Sequence, residues 1–237
     1  MFAVLQKRNL QEFYTSVATV HQIFKTIAGN NQKLEERYLT TNPIPVIEKK
    51  LLGLSAEQEY ILAHVKTDEL SQAIFDLLVF MNTNKFNKYT SVPNHIQTSK
   101  MEKDSYGLVG RVNLYEHTLN CAVCAIEITI SQPQIIREIT ILVALLHDFG
   151  KHPKIANQYP KQAIGRHDKV SALFAQDFLK IYRDEKIFLD VIFTTLDNHH
   201  EKDEKVLKTT IYLDILKNAD EKARTMEESF VKLRLKK

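Results

Sequence analysis

An all-α fold is what this sequence predicts, and three observations carry that prediction. Apolar residues recur at alternating three- and four-residue steps in one segment after another, long stretches of period-two alternation are absent, and only six glycines and six prolines fall in 237 residues. So few turn formers exclude a turn-dense β-sandwich or barrel. With 44% hydrophobic and 26% charged residues, the chain also has enough apolar side chains for a real core and is not of the disordered class.

The first stripe is Phe13, Val17, Val20, Phe24 and Ile27, closed by Gly29 at a place that suits a helix C-terminus. A looser segment with Asn42, Pro43, Ile44 and Pro45 follows. Ser55 with Gln58 predicts a capping-box start for a helix to about Val65. Thr67 ahead of Asp68 and Glu69 starts another, which carries Leu70, Ile74, Leu77, Leu78 and Phe80. From 83 to 106 the residues are polar, include Pro93 and show neither period, which reads as a linker or a functional loop. The expected division is therefore an N-terminal helical region with linker, 1–106, and a C-terminal domain, 107–237. Within the C-terminal domain a helix is expected over 113–130. The next begins with Pro133 as its first helical residue and ends at His147-Asp148-Phe149-Gly150, with Gly150 closing it. Further helices are expected over 167–182, 185–199 and 205–229.

Charge separates few functions. A formal net charge of +3 and a pI near 8.7, without a basic stripe interleaved with aromatics, leave nucleic acid possible as a partner but not favoured. The longest strongly apolar stretch, 139–146, is well short of the roughly 20 residues that span a bilayer, and the N-terminus lacks a signal-peptide core. The expectation is a cytoplasmic protein with no membrane partner. Cys121 and Cys124 form a C-x-x-C inside a helical pattern with no second pair, and read as two small core residues.

The chemistry is concentrated in the histidines. Of nine, six fall at or near the ends of the C-terminal helices: His117, His147, His152, His167, His199 and His200. Carboxylates sit beside several of them, in His147-Asp148, His167-Asp168 and His199-His200-Glu201. A divalent cation needs imidazoles and anionic oxygens converging on one point, and helices that pack together can supply them. His152 and His95 are read as ordinary helix-end residues, and His21 and His64 as ordinary helical ones.

Three segments in order carry a resemblance. NLYEHTLNCAV resembles the first-histidine motif of the HD-domain phosphohydrolase superfamily, ITILVALLHDFGK its His-Asp motif, and KNADEKAR its last-aspartate motif. Two more, RHDKVSA and DNHHE, are similar to segments of the dinuclear HD-GYP-like branch. The resemblance implies an HD helical bundle and two divalent metal ions, with iron or manganese favoured and magnesium, nickel or zinc open. It implies His117, His147, Asp148 and Asp220 as ligands of the first metal, with Asp148 bridging to a second held by His167, His199 and His200. Asp148 and Lys151 become the catalytic residues, and Lys151 matches a lysine placed near the scissile phosphate. Arg111 and Arg224 are candidate phosphate contacts, since a guanidinium meets phosphate oxygens with two donors. Asp168, Asp197 and Glu201 are candidates to orient the imidazoles.

The chain also departs from that branch. KDEKVLKTT follows His-His-Glu where Gly-Tyr-Pro is expected, which removes cyclic di-GMP as the default substrate. Asn113 stands four residues before His117 where some relatives carry a glutamate, so a third metal is not expected. The implied reaction is hydrolysis of a phosphomonoester or phosphodiester, with a nucleotide or cyclic nucleotide favoured, by a metal-activated hydroxide. A non-catalytic sensor or docking module and a nuclease for single-stranded nucleic acid are the alternatives. A related exoribonuclease group carries a β-barrel in front of its HD domain, whereas residues 1–82 read as helical here. A homodimer through the N-terminal stripes is left open.

Overall fold

The structure is a computed structural model that describes residues 54–92, 110–161, 166–182, 186–201 and 210–235. The expected helix around Phe13 to Ile27 and the Asn42–Pro45 segment lie outside the described residues, as do His21 and His95. The described residues form an all-α bundle of eight helices, as the periodicity required. These are α1 (Ala56–Ala63), α2 (Asp68–Thr83), α3 (Leu114–Ile128), α4 (Gln134–Leu146), α5 (Pro153–Ala156), α6 (His167–Leu179), α7 (Lys186–Asn198) and α8 (Ile211–Leu235). Short 3-10 turns lie at Phe86–Lys88 and Phe149–Lys151.

Local chemistry explains the helix starts. At α1 the capping box is complete: the Gln58 amide donates to Ser55 Oγ at 3.3 Å and the Ser55 amide to Gln58 Oε1 at 3.0 Å. At α2, Thr67 occupies the cap but its hydroxyl turns to Glu138 of α4. The Glu138 carboxylate does the capping from a distance, accepting from the Lys66 and Thr67 amides at 2.7 and 3.1 Å. Four bonds explain how Glu138 is tolerated fully buried. Asn113 caps α3 by accepting from the Glu116 amide at 2.8 Å. Pro133 is the cap of α4 rather than its first helical residue, because its ψ of 143° is extended.

Residues 138–146 of α4 are all buried, so this helix is apolar all round and forms the centre of the bundle. It packs with α3 and α8 on one side and with α2, α6 and α7 on others, while α6 and α7 form an adjacent pair. One hydrophobic cluster runs from Ile61 through α2 and Phe86 to Ala223. Residues 86–92, in the stretch that showed no period, also lie on this body. Phe86 is fully buried, and the Leu114 amide donates to the Tyr89 carbonyl at 2.7 Å. No helix among the described residues is long and apolar enough to cross a membrane.

Candidate metal centre

Helix α4 ends in the core, and the chain turns sharply at His147 and Asp148. Phe149, the next residue, anchors that turn in an aromatic cluster, 4.8 Å from Phe86 and 5.3 Å from Phe174 between ring centroids. Gly150 does not close the helix in a left-handed conformation. A Cβ there would stand 2.1 Å from the His167 carbonyl oxygen, so glycine is required because the start of α6 crosses against this turn. That close approach brings His167 to Asp148.

The two oxygens of Asp148 face different groups. Oδ2 is 3.4 Å from both His117 Nε2 and His147 Nε2, and Asp220 Oδ1 is 3.2 Å from His117 Nε2. Oδ1 is 3.3 Å from His167 Nε2, which is 2.8 Å from His200 Nε2. The His199 ring lies 5.8 Å from that of His167 and 4.1 Å from that of His200. All seven residues expected as ligands therefore converge, from α3, α6, α8 and the His147-Asp148 and His199-His200 turns.

Three imidazoles are locked in one tautomer. His117 Nδ1 donates to Glu227 at 3.0 Å, His147 Nδ1 to the Ala144 carbonyl at 2.7 Å and His199 Nδ1 to the Leu196 carbonyl at 2.6 Å. Those partners only accept, so each ring turns Nε2 inward, the nitrogen that binds a metal once it carries no proton. Asp148 Oδ1 and His199 Nε2 are buried with no hydrogen-bond partner. Buried polar atoms are nearly always satisfied. Two orphans aimed into one cluster of imidazoles and a carboxylate fit a divalent cation, which the donor set suits.

Charge differs across Asp148. Burial alone would push His147 down, but the Asp148 carboxylate and the Cys121 sulfur reverse this and take it up to about 10. His117 is likewise held well above its ordinary value against the cost of burial. Asp148 itself stays well below the usual carboxylate range despite burial, because His147 and Lys151 lie beside it. On the other side, burial and then the neighbouring His167 push His200 down to about 4, and His199 falls well below its ordinary value.

The basic residues divide. Lys151 Nζ donates to Asp148 Oδ2 at 2.6 Å and to the Ser91 carbonyl at 2.8 Å. Arg224 stands at the rim, 3.7 Å from Asp148 Oδ2, and donates to Ser91 Oγ at 2.7 Å. Arg111 is exposed ahead of α3 and makes no hydrogen bond or ion pair with the cluster among the described residues. His152 is structural, stacked on Phe86 with its Nε2 donating to the Asn84 carbonyl.

Sequence reasoning missed four participants. Glu227 orients an imidazole, whereas Asp168 pairs with Arg166 and Asp197 with Lys169. Glu227 lies two turns after Asp220 on α8, a spacing that could have indicated it. Asn120 steadies Glu227 at 3.0 Å. Ser91 carried no signal, because it comes from the segment without period. Cys121 and Cys124 both sit in the hydrophobic core, as read, but Cys121 also has its sulfur in the cluster.

A helical bundle whose central helix delivers histidine and aspartate to a buried His/Asp cluster defines the class: an all-α protein with a site suited to divalent metal. Residues 114–225 match the HD domain model, so this part of the chain is an HD domain, a domain found generally in metal-dependent hydrolases. No curated protein and no solved structure matches the chain.

Proposed function

We propose that this HD domain hydrolyses a phosphomonoester or phosphodiester, with a nucleotide or cyclic nucleotide as the favoured substrate, at a pair of divalent cations. The observation that carries this reading is the split of Asp148, with Oδ2 among His117, His147 and Asp220 and an otherwise orphaned Oδ1 toward His167, His199 and His200. Those residues would hold the two cations, iron or manganese being favoured, with Asp148 shared between them. Bound there, such cations supply Lewis acidity toward phosphoryl oxygens and make water a nucleophile near neutral pH.

The protein's own residues set the geometry. Carbonyls of Ala144 and Leu196 and the Glu227 carboxylate prevent three imidazoles from turning, which keeps the donors in place between turnovers. Lys151 and Arg224 flank Asp148 and present positive charge where a phosphoryl group would develop negative charge. Arg224 is the better placed to take two phosphate oxygens at once, being partly exposed at the rim. Arg111 has no role in this reading. The absence of Gly-Tyr-Pro after His-His-Glu keeps cyclic di-GMP from being the default.

Metal analysis of protein purified without chelator, with assays on a chromogenic phosphodiester, a nucleotide panel and single-stranded RNA, tests this. Two equivalents of metal with release of phosphate or a mononucleotide from a small substrate are expected. A ladder from RNA would make the chain a nuclease. Protein with neither metal nor turnover of any substrate would overturn the reading and leave a docking module.

A further inference from the structure

The cluster contains one donor that the proposed reaction does not use. Cys121 follows His117 by one helical turn on α3, the spacing that places two side chains on one face. Its Sγ is 3.6 Å from His117 Nε2, 4.0 Å from His147 Nε2 and 3.8 Å from Asp220 Oδ1. The four donor atoms all lie within 4.8 Å of one another. A tetrahedral cation with bonds of about 2.3 Å to sulfur and about 2.05 Å to nitrogen would hold those donors about 3.6 Å apart. The sulfur distances start at that value and run slightly beyond it, so small side-chain movements complete the set.

Apolar packing does not account for this placement. A buried cysteine acting as a small hydrophobe has carbon around its sulfur. Both cysteines belong to the hydrophobic core, but Cys124, three residues on, is not among the clustered donors, and burial pushes its thiol up to about 11. Cys121 instead has three nitrogens of two imidazoles and a carboxylate oxygen within 4.0 Å, on residues from three elements.

We propose that Cys121 is a thiolate ligand of the cation held by His117, His147 and Asp220. The subsite then contains sulfur and selects borderline cations such as Zn2+, Fe2+ or Co2+ over Mg2+ or Ca2+. Ligation replaces the thiol proton with the metal–sulfur bond, and that proton leaves to solvent. This inference rests on the metal-centre reading above and adds a ligand and a selectivity to it.

Cobalt substitution decides it. Wild-type protein, Cys121→Ala and Cys124→Ala are loaded with Co2+, the bound cobalt is counted, and near-ultraviolet absorption is recorded. The expected result is a sulfur-to-cobalt charge-transfer band in wild type and Cys124→Ala that Cys121→Ala lacks while still binding cobalt. Wild type loaded with Zn2+ supplies a second measurement that needs no variant: X-ray absorption is expected to show a sulfur neighbour at about 2.3 Å. Two bound Co2+ without the band, or Zn2+ without a sulfur neighbour, would overturn the inference while the phosphohydrolase reading stands. Failure to bind either cation would overturn both.

Discussion

The donors on the Oδ2 side of Asp148 come from the bundle's interior, on α3, at the end of α4 and on α8, whereas those on the Oδ1 side come from the start of α6 and the end of α7. His117 and His147 are essentially buried and crowded by Asp148 and Asp220, and both are held toward the cationic form. His199 and His200 have no such excess of carboxylates and are held toward the neutral form. His200 has an exposed outer face and His167 is a fifth exposed. One side thus demands positive charge and the other offers neutral lone pairs. A single carboxylate serves two electrostatically different environments because the turn that Phe149 and Gly150 hold in place sets it between them, with one oxygen toward each side.

The substitution that breaks the comparison most completely is Asp148→Ala, which removes a side chain with one oxygen toward each side. Metal content is expected to fall from two equivalents to below one, and turnover of a phosphodiester at least about 1,000-fold, some 4 kcal/mol of barrier. Separate substitutions should then divide the sides. His200→Ala is expected to lose one equivalent by elemental analysis and keep the other. Glu227→Gln removes the charged acceptor behind His117 and is expected to weaken only the interior equivalent, by about 10–100-fold in chelator competition. Equal loss from both sides in either variant would contradict the distinction.

Gly150→Ala tests what joins the sides. Its Cβ must displace the His167 carbonyl, at a cost of about 1–3 kcal/mol in urea unfolding. The metal lost should be the one held by His167, His199 and His200.

An effect on stability alone, with none on metal, is expected on α2. Asp76 on α2 is buried and accepts from Tyr182 at 2.5 Å, and burial raises its carboxyl from 3.8 to about 6. The folded chain therefore keeps a proton that the unfolded chain releases between those values. Its contribution to stability is fully present below about pH 4 and is lost as pH rises through 6, by roughly 3 kcal/mol at most. Asp76→Asn should flatten that part of the urea midpoint's pH profile and leave metal content unchanged.

Helix type and order were legible because burial of one face imposes a 3.6-residue period that the residues themselves display. The α3 assignment differs from the structure by a residue or two at its ends, α4 ends at Leu146 ahead of the expected close at Gly150, and the α1 capping box is complete. The seven clustered histidines and aspartates were legible through ordered motifs, since the elements carrying them each keep a local signature. Glu227, Ser91 and Cys121 were not. Glu227 and Cys121 look like ordinary helical residues until α3 and α8 are placed side by side, and Ser91 belongs to a segment whose position depends on contacts with Val112 and Arg224.

Arg111 shows the converse. Its type and its nearness to His117 in sequence suited a phosphate contact, yet it lies exposed ahead of α3 with no hydrogen bond or ion pair to the cluster among the described residues. The sequence by itself determined an all-α chain, its HD motifs and the chemistry those motifs can hold. Tertiary packing alone decided which oxygen of Asp148 faces which imidazoles, which cysteine turns to the cluster, and why Gly150 must be glycine. The reason is physical: periodicity and motifs are written along the chain, whereas distances between donors arise only when separate helices close on one another.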